Sequence, residues 1–254
     1  MSNSTVSVVF IIKNGLKNGY CFWESLQSIL PICDELIISD GYSDDGTYEA
    51  LLKFKDKYKS VNINLYQDKW EEKSYHGEVI AKVTQRAIEK ATKDYTLNLQ
   101  GDELYHETTI SYLKGIINDG YYNSISLPFY HFIKELRPSS GAYEEAIRVV
   151  RNGKKAKLKG DAWTFEPIEP VCPSNLCPKK VYHFAWIFPK NNDIKDIEHY
   201  KIYENYPCYK EKMQKALKNL KNEKKPYPMT EFDDFPELAR RFIGEVEYKL
   251  PENL

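Results

Sequence analysis

The chain has almost no excess charge of either sign. Thirty-six lysines and arginines face 37 aspartates and glutamates, a formal net charge of -1 over 254 residues. That balance excludes a whole-chain basic footprint for nucleic acid. The basic runs at 154–159 and 215–225 read as solvated faces. Long hydrophobic runs are also missing. No stretch approaches the ~18 apolar residues needed to cross a bilayer. The first apolar run, Val6 to Ile12, is cut off by Lys13 and lacks the flanks of a secretory signal. A cytoplasmic setting without a membrane span is expected, with at most peripheral association. Cysteine usage agrees, since Cys21, Cys33, Cys172, Cys177 and Cys208 are odd in number and scattered. Cys172 and Cys177 have no second Cys or His pair at zinc spacing. Neither an internal repeat nor a linker is visible.

What is present in excess is aromatic: 20 tyrosines, 11 phenylalanines and 4 tryptophans, most of which must serve packing. The first hundred residues alternate regularly. Val6 to Ile12 is a β-branched buried strand, and 20–30 carries Phe22, Trp23, Leu26 and Ile29 at helical spacing before Pro31. Leu36 to Ser39 is a second strand, followed by a helix that Asp44 or Asp45 can cap. A third strand over 61–66, a helix over 78–91 and a fourth strand over 95–99 follow. This is the pattern of an α/β domain with a mostly parallel sheet flanked by helices. Beyond 105 the order changes: a helix over 108–117, strands over 124–128, 146–151 and 181–186, and an irregular proline-rich stretch over 167–178. From Asp193 onward the chain is charged and helical, with helices expected over 208–222 and 236–246. The organisation expected is one domain over 1–190, divided into a nucleotide-binding half (1–105) and an acceptor-side half (106–190). A helical extension covers 191–254.

Two strand ends carry acids. Leu36-Ile-Ile-Ser-Asp40-Gly-Tyr-Ser-Asp-Asp-Gly46 and Leu97-Asn-Leu-Gln-Gly-Asp102-Glu103 both run from apolar residues into glycines and carboxylates. The carboxyl edge of an open α/β sheet is where ligands bind. Two acidic ends there suit a cation and the diphosphate it neutralises.

With these motifs in view, the chain resembles the inverting GT-A nucleotide-sugar glycosyltransferases of the family 2 type. Ile11-Ile-Lys13-Asn14 is similar to the strand end that cups the nucleotide base. Asp34 to Thr47 is similar to the Asp-x-x-Ser-x-Asp-Gly-Thr signature, and Leu99-Gln-Gly-Asp-Glu103 stands where the family carries Asp-x-Asp. A branch reading Leu-Gln-Ala-Asp-Glu there also resembles Pro128-Phe-Tyr-His-Phe132, Glu145 to Asn152, Gly160-Asp-Ala162 and Tyr182-His183 with Trp186. The likeness spans residues 6 to 187.

The resemblance implies roles. Asp102 matches the last acid of Asp-x-Asp and would ligate Mn²⁺ or Mg²⁺; the alternative is a helix cap. Gln100 replaces the first acid of that motif, and Gly101 lies between them. Asp40 resembles the acid that accepts from the base, which favours uracil; otherwise it is a turn acid before Gly41. Lys13 and Asn14 would lie at the nucleotide edge, Lys13 being equally readable as a solvated strand end. His183 matches a C-terminal histidine that completes the metal shell, or else is a core histidine. Inversion needs a general base for the acceptor hydroxyl. Candidates are Glu144, Glu145 and Asp161. Asp161 is preferred, with Trp163 beside it to stack on an acceptor sugar, although it also reads as a turn acid. Glu145 is alternatively read as an ion-pair partner of Arg148 or Arg151. Trp70 and Arg86 are expected near the donor. The implied partners are a nucleotide-sugar donor, UDP-linked by preference, and a glycan, lipid-linked or small acceptor. Two other classes stay in view. A sugar-nucleotide transferase would show a Gly-x-Gly-Thr-Arg-like loop, which Asn14-Gly15-Leu16-Lys17 lacks. A non-catalytic carbohydrate-binding scaffold would explain the loss of an acid at Gln100.

Overall fold

The computed structural model describes residues 4–70, 77–133, 143–202 and 235–252. Its first half alternates as expected: β1 (Val6–Ile12), α1 (Phe22–Ile29), β2 (Glu35–Asp40), α2 (Thr47–Lys57), β3 (Asn62–Gln67), α3 (Glu78–Ile88) and β4 (Tyr95–Leu99). β3, β2, β1 and β4 lie side by side, all parallel. The runs of β1, β2 and β4 are buried on both faces, as sheets covered by helices on each side require, while the edge strand β3 is partly exposed.

The second half extends the same sheet. β5 (Glu103–Tyr105), α4 (Glu107–Asp119), β6 (Ser124–Ile133), β7 (Glu145–Arg151) and β11 (Val181–Trp186) complete the order β3-β2-β1-β4-β7-β6-β11-β5. β7 is antiparallel to both β4 and β6, β11 is parallel to β6, and β5 is antiparallel to β11. The short strands β8 (Leu158–Lys159) and β9 (Thr164–Phe165) form a separate hairpin, and β10 (Val171–Cys172) adds to β6. The chain is therefore α/β, with a mostly parallel central sheet flanked by helices.

Three expectations are corrected in detail. The strand expected to stop at Pro128 continues to Ile133, because past the proline it changes neighbour, pairing Phe129 with Val181 of β11. The helix expected from Asp193 begins earlier, as α5 (Pro189–Ile202), with its proline in the first turn where no donor is lost. The helix expected over 236–246 is only a 3₁₀ turn, Glu237–Arg241; the one expected over 208–222 lies outside the described residues.

Two features fix the framework. At the amino edge of the sheet, the Glu35 carboxylate accepts from Ser7 Oγ (2.6 Å), Thr92 N (2.9 Å) and Thr92 Oγ1 (2.9 Å), tying β1, β2 and the approach to β4 together. At the other end, residues 235–252 return to the core. Phe235 packs on Phe132, Tyr182 and Phe184, Phe242 on Phe184 and Phe188, and Tyr248 donates to the buried Glu24 at 2.9 Å.

Candidate active site

A cavity of about 810 Å³ opens at the carboxyl ends of β1 and β4. One wall is Ile11 to Lys13 with Trp70, and the floor is Asn98 to Asp102. The far wall is Tyr143 with Gly160 to Trp163, and the roof is His183, Trp186 and α5.

The turn after β4 explains how Asp102 is aimed. Ser25 Oγ of α1 donates to the carbonyls of Gln100 (2.8 Å) and Glu103 (2.6 Å), closing Gln100-Gly-Asp-Glu103 into a tight turn. β5 then pairs with β11 in a register that sets Glu103 against His183, and Phe184 N donates to the Asp102 carbonyl at 2.7 Å. That pairing carries Asp102 to His183, whose Nε2 lies 3.2 Å from Asp102 Oδ1. The other oxygen, Oδ2, is 3.3 Å from Lys195 Nζ on α5. Burial would raise the Asp102 carboxyl, but His183 and Lys195 outweigh it and hold the group well below the usual carboxylate range. Asp102 does not cap the following helix: β5 intervenes, and His106 Nδ1 caps α4 by accepting from Thr108 N at 3.1 Å.

A second histidine orients the first. His131 Nδ1 is 2.9 Å from His183 Nδ1, and His131 Nε2 is 2.8 Å from the Tyr143 carbonyl. A carbonyl only accepts, so His131 Nε2 carries its hydrogen. Burial, with His183 adding to it, pushes His131 down to about 4, so its Nδ1 is a bare lone pair at neutral pH. His183 Nδ1 must then donate, and its Nε2 faces the Asp102 carboxylate across 3.2 Å, a gap suited to a second ring proton or to a cation held between the two. Among the described residues no group of three or more His, Cys, Asp or Glu forms a complete metal shell. Asp102 and His183 nonetheless fit one side of a divalent ion, since such ions at phosphate sites take few protein ligands and fill the rest with substrate oxygens and water.

The opposite wall is held from behind. Asp161 sits in the β8–β9 turn between Gly160 (φ 57°) and Ala162 (φ 67°), and the turn faces the cavity. Asn98 Nδ2 of β4 donates to the Ala162 carbonyl at 3.0 Å. The buried Arg148 donates to the Trp163 carbonyl, to Tyr143 Oη (3.1 Å) and to Glu103, whose side chain is equally buried. Burial pushes the Glu103 carboxyl upward while Arg148 pulls it down. Trp163 and Tyr143 pack ring on ring, 4.9 Å between centroids and 31° apart.

The sequence-derived site residues divide. Lys13, Gln100, Gly101, Asp102, Asp161 and His183 line the cavity together. Asp40 and Asn14 stand behind the wall. Asp40 is fully buried and accepts from Ser43 N (3.0 Å), Ser43 Oγ (2.5 Å) and Gln67 Nε2 (3.0 Å), the geometry of a turn acid. Asn14 (φ 53°) accepts from Asp44 N at 2.9 Å and so fixes the β2–α2 loop. Gly41 has to be glycine, because a Cβ there would lie 2.8 Å from Trp70 Nε1 and 2.9 Å from Lys13 Cβ. Arg86 is one step removed, bonding Asp68 at 2.8 Å just before Trp70. Glu145 is exposed at the start of β7, bonded to Ser174 Oγ and away from the cavity; Arg148 takes Glu103, and Arg151 the Gly120 carbonyl. Glu144 is exposed beside it. Lys195, His131, Asn98 and Arg148 were not expected here. Asn98 had a local signal, a polar residue inside the apolar run Tyr95-Thr-Leu-Asn-Leu99.

No protein-family model matches the chain, and no curated protein matches its sequence. Similar solved structures include S. aureus TarS, at 14% identity over 85% of this chain with a TM-score of 0.49; this chain spans only 42% of that one. TarS 1-349 in complex with UDP-GlcNAc is 14% identical over 84% of this chain and 71% of its own, with a TM-score of 0.47. The mannosyltransferase PcManGT from Pyrobaculum calidifontis, in complex with GDP-Man and Mn²⁺, is 11% identical over 87% of this chain and 70% of its own, with a TM-score of 0.49.

Proposed function

We propose that the protein is an inverting glycosyltransferase that moves a sugar from a nucleotide-diphosphate donor to a hydroxyl acceptor, with a UDP-sugar as the favoured donor and the cytoplasm as its setting. The observation that carries this reading is one cavity with two chemically different walls. The Asp102–His183 pair stands at the sheet's carboxyl edge, and Asp161, Tyr143 and Trp163 face it.

On the donor side, Lys13, Trp70, Gln100 and Gly101 would receive the nucleotide, with Asp40 and Asn14 shaping the loop behind them. The preference for uridine rests on the likeness of the β2 end to the family signature. Asp102 and His183 would hold Mn²⁺ or Mg²⁺, whose charge when bound stabilises a departing diphosphate. His131 keeps His183 in the tautomer that offers Nε2 to such an ion. On the acceptor side, Asp161 would take the proton from the incoming hydroxyl as the new glycosidic bond forms. Trp163 and Tyr143 would provide an aromatic face for a sugar ring or a similar flat, hydroxylated acceptor. The test is nucleotide release from a panel of UDP- and GDP-sugars with Mn²⁺ and a mixed acceptor pool. Release with one donor, dependent on an acceptor, is expected; no release with any donor, from a protein that binds free sugars, would make it a carbohydrate-binding scaffold instead.

A further inference from the structure

α5 leaves β11 and sends one lysine back under the cavity roof. Lys195 is 1% exposed, yet it belongs to the wall beside Asp102. Its ammonium lies 4.1 Å from the Tyr20 ring centroid and 4.8 Å from that of Trp186, and donates to the Ala185 carbonyl at 2.5 Å and to Asp102 Oδ2 at 3.3 Å. The helix that carries it is anchored independently. Asn191 Nδ2 donates to the Leu16 carbonyl at 3.1 Å, and Glu198 pairs with Lys17 at 3.2 Å.

A buried ion pair is a poor device for stability alone, because apolar residues of similar volume do as well or better. This pair also has a particular division of labour. Asp102 turns Oδ1 to His183 and Oδ2 to Lys195. The ammonium therefore takes one oxygen of the carboxylate and leaves the other to His183. Asp102 and Lys195 are opposite charges 3.3 Å apart, so as a pair they add no net charge to this part of the wall. Remove the lysine, and a lone buried carboxylate would face an incoming polyanion.

We propose that Lys195 is a built-in cation of the diphosphate subsite, which neutralises Asp102 so that a nucleoside diphosphate binds even before a divalent ion arrives. The inference rests on the proposed nucleotide-sugar reading and deepens it. Lys195 acts through charge at a distance of one residue, so it is a positioning residue and not a catalytic one. The divalent ion then adds to a neutral wall instead of rescuing a negative one, and nucleotide binding depends on metal only modestly.

Calorimetric titration of the full chain with UDP, in EDTA and in saturating Mn²⁺, tests this. The wild type should bind UDP in EDTA. Lys195→Met should lose about tenfold or more of that affinity, while staying within about threefold of wild type in Mn²⁺. Lys195→Arg should keep metal-free binding. Asp102→Asn, which leaves the ammonium unopposed, should bind UDP in EDTA more tightly than wild type and lose the Mn²⁺ enhancement. Wild-type binding that requires Mn²⁺ overturns the proposal, as does a folded Lys195→Met with unchanged affinity in EDTA. If Lys195→Met does not fold, Asp102→Asn decides, and weaker or unchanged metal-free binding overturns it. A wild type that binds neither UDP nor GDP under any condition brings down the nucleotide-sugar reading itself, an outcome distinct from a failure at Lys195.

Discussion

Asn98 of β4 donates to the carbonyl of Ala162 at 3.0 Å, joining the floor of the cavity to the turn that carries Asp161. The strand whose end becomes Gln100-Gly-Asp102 thus also sets the height of the opposite wall. Under the proposed function the two walls serve donor and acceptor, and substitutions in them should have separable effects.

Asp161→Asn should leave UDP and Mn²⁺ affinity near wild type while transfer falls by roughly 10²–10⁴, the usual contribution of a general base. Glu145→Gln is the control, since that side chain is exposed and bonded to Ser174. It should change stability by no more than about 0.5 kcal/mol and leave transfer intact. Steady-state kinetics on the two variants decide; an active Asp161→Asn beside an inactive, folded Glu145→Gln would exchange their roles.

Asp102→Asn keeps the shape of the side chain and removes its charge. Turnover should drop by roughly two to four decades, each decade being about 1.4 kcal/mol of barrier. Circular dichroism should show the fold retained. Near-normal turnover with unchanged metal dependence would remove Asp102 from the reaction.

His131→Phe removes the acceptor that fixes the His183 tautomer while keeping a ring in the space. Mn²⁺ affinity, read by electron paramagnetic resonance of the free ion, should weaken by roughly 10–100-fold, as for other residues that orient a ligand. UDP affinity in EDTA should barely move. Equal Mn²⁺ affinity in variant and wild type would mean that His183 needs no such support.

Glu35 supplies a pH test far from the cavity. Burial raises its carboxyl, but bonds from Ser7 and Thr92 outweigh burial and leave it below its ordinary value of 4.5. A carboxyl lowered by folding contributes stability above its unfolded value, and loses that contribution as pH falls through the folded one. Glu35→Gln should therefore cost about 1–3 kcal/mol at pH 7, and the gap to wild type should narrow in urea melts below about pH 4.5. A gap that stays constant down to pH 3 would mean that ionised Glu35 contributes nothing through its charge.

Much of the fold was legible because the first hundred residues are locally consistent. Val6–Ile12, Glu35–Asp40 and Tyr95–Leu99 are short β-branched or apolar runs closed by polar residues, and the helices between them keep a single apolar face. The cavity lining was legible in part: Asp102 follows the run Tyr95–Leu99, and His183 lies within β11, and both face the same cavity as Lys13, Gln100, Gly101 and Asp161. Nothing local reveals that Asp40 accepts from Ser43 and from Gln67 of β3, 27 residues on. Lys195 sits in a charged segment indistinguishable from a solvated helix, and only the return of α5 over the cavity buries it. His131 did leave a trace. Tyr130-His131-Phe132 and Tyr182-His183-Phe184 are the same triplet, and β6 and β11 pair them residue for residue as far as the histidines. Arg148 hides among Ile147, Val149 and Val150, where its partner Glu103 is 45 residues away in the chain.

The central claim is that the Asp102–His183 face receives a divalent ion with a nucleotide diphosphate. Crystals soaked with UDP and Mn²⁺, measured at a wavelength where manganese scatters anomalously, test it most directly. One anomalous peak is expected within coordinating distance of Asp102 and His183 Nε2, with diphosphate density on its open side and the uridine toward Lys13 and Trp70. Nucleotide density elsewhere, or UDP in the cavity with manganese bound away from both side chains, would contradict it.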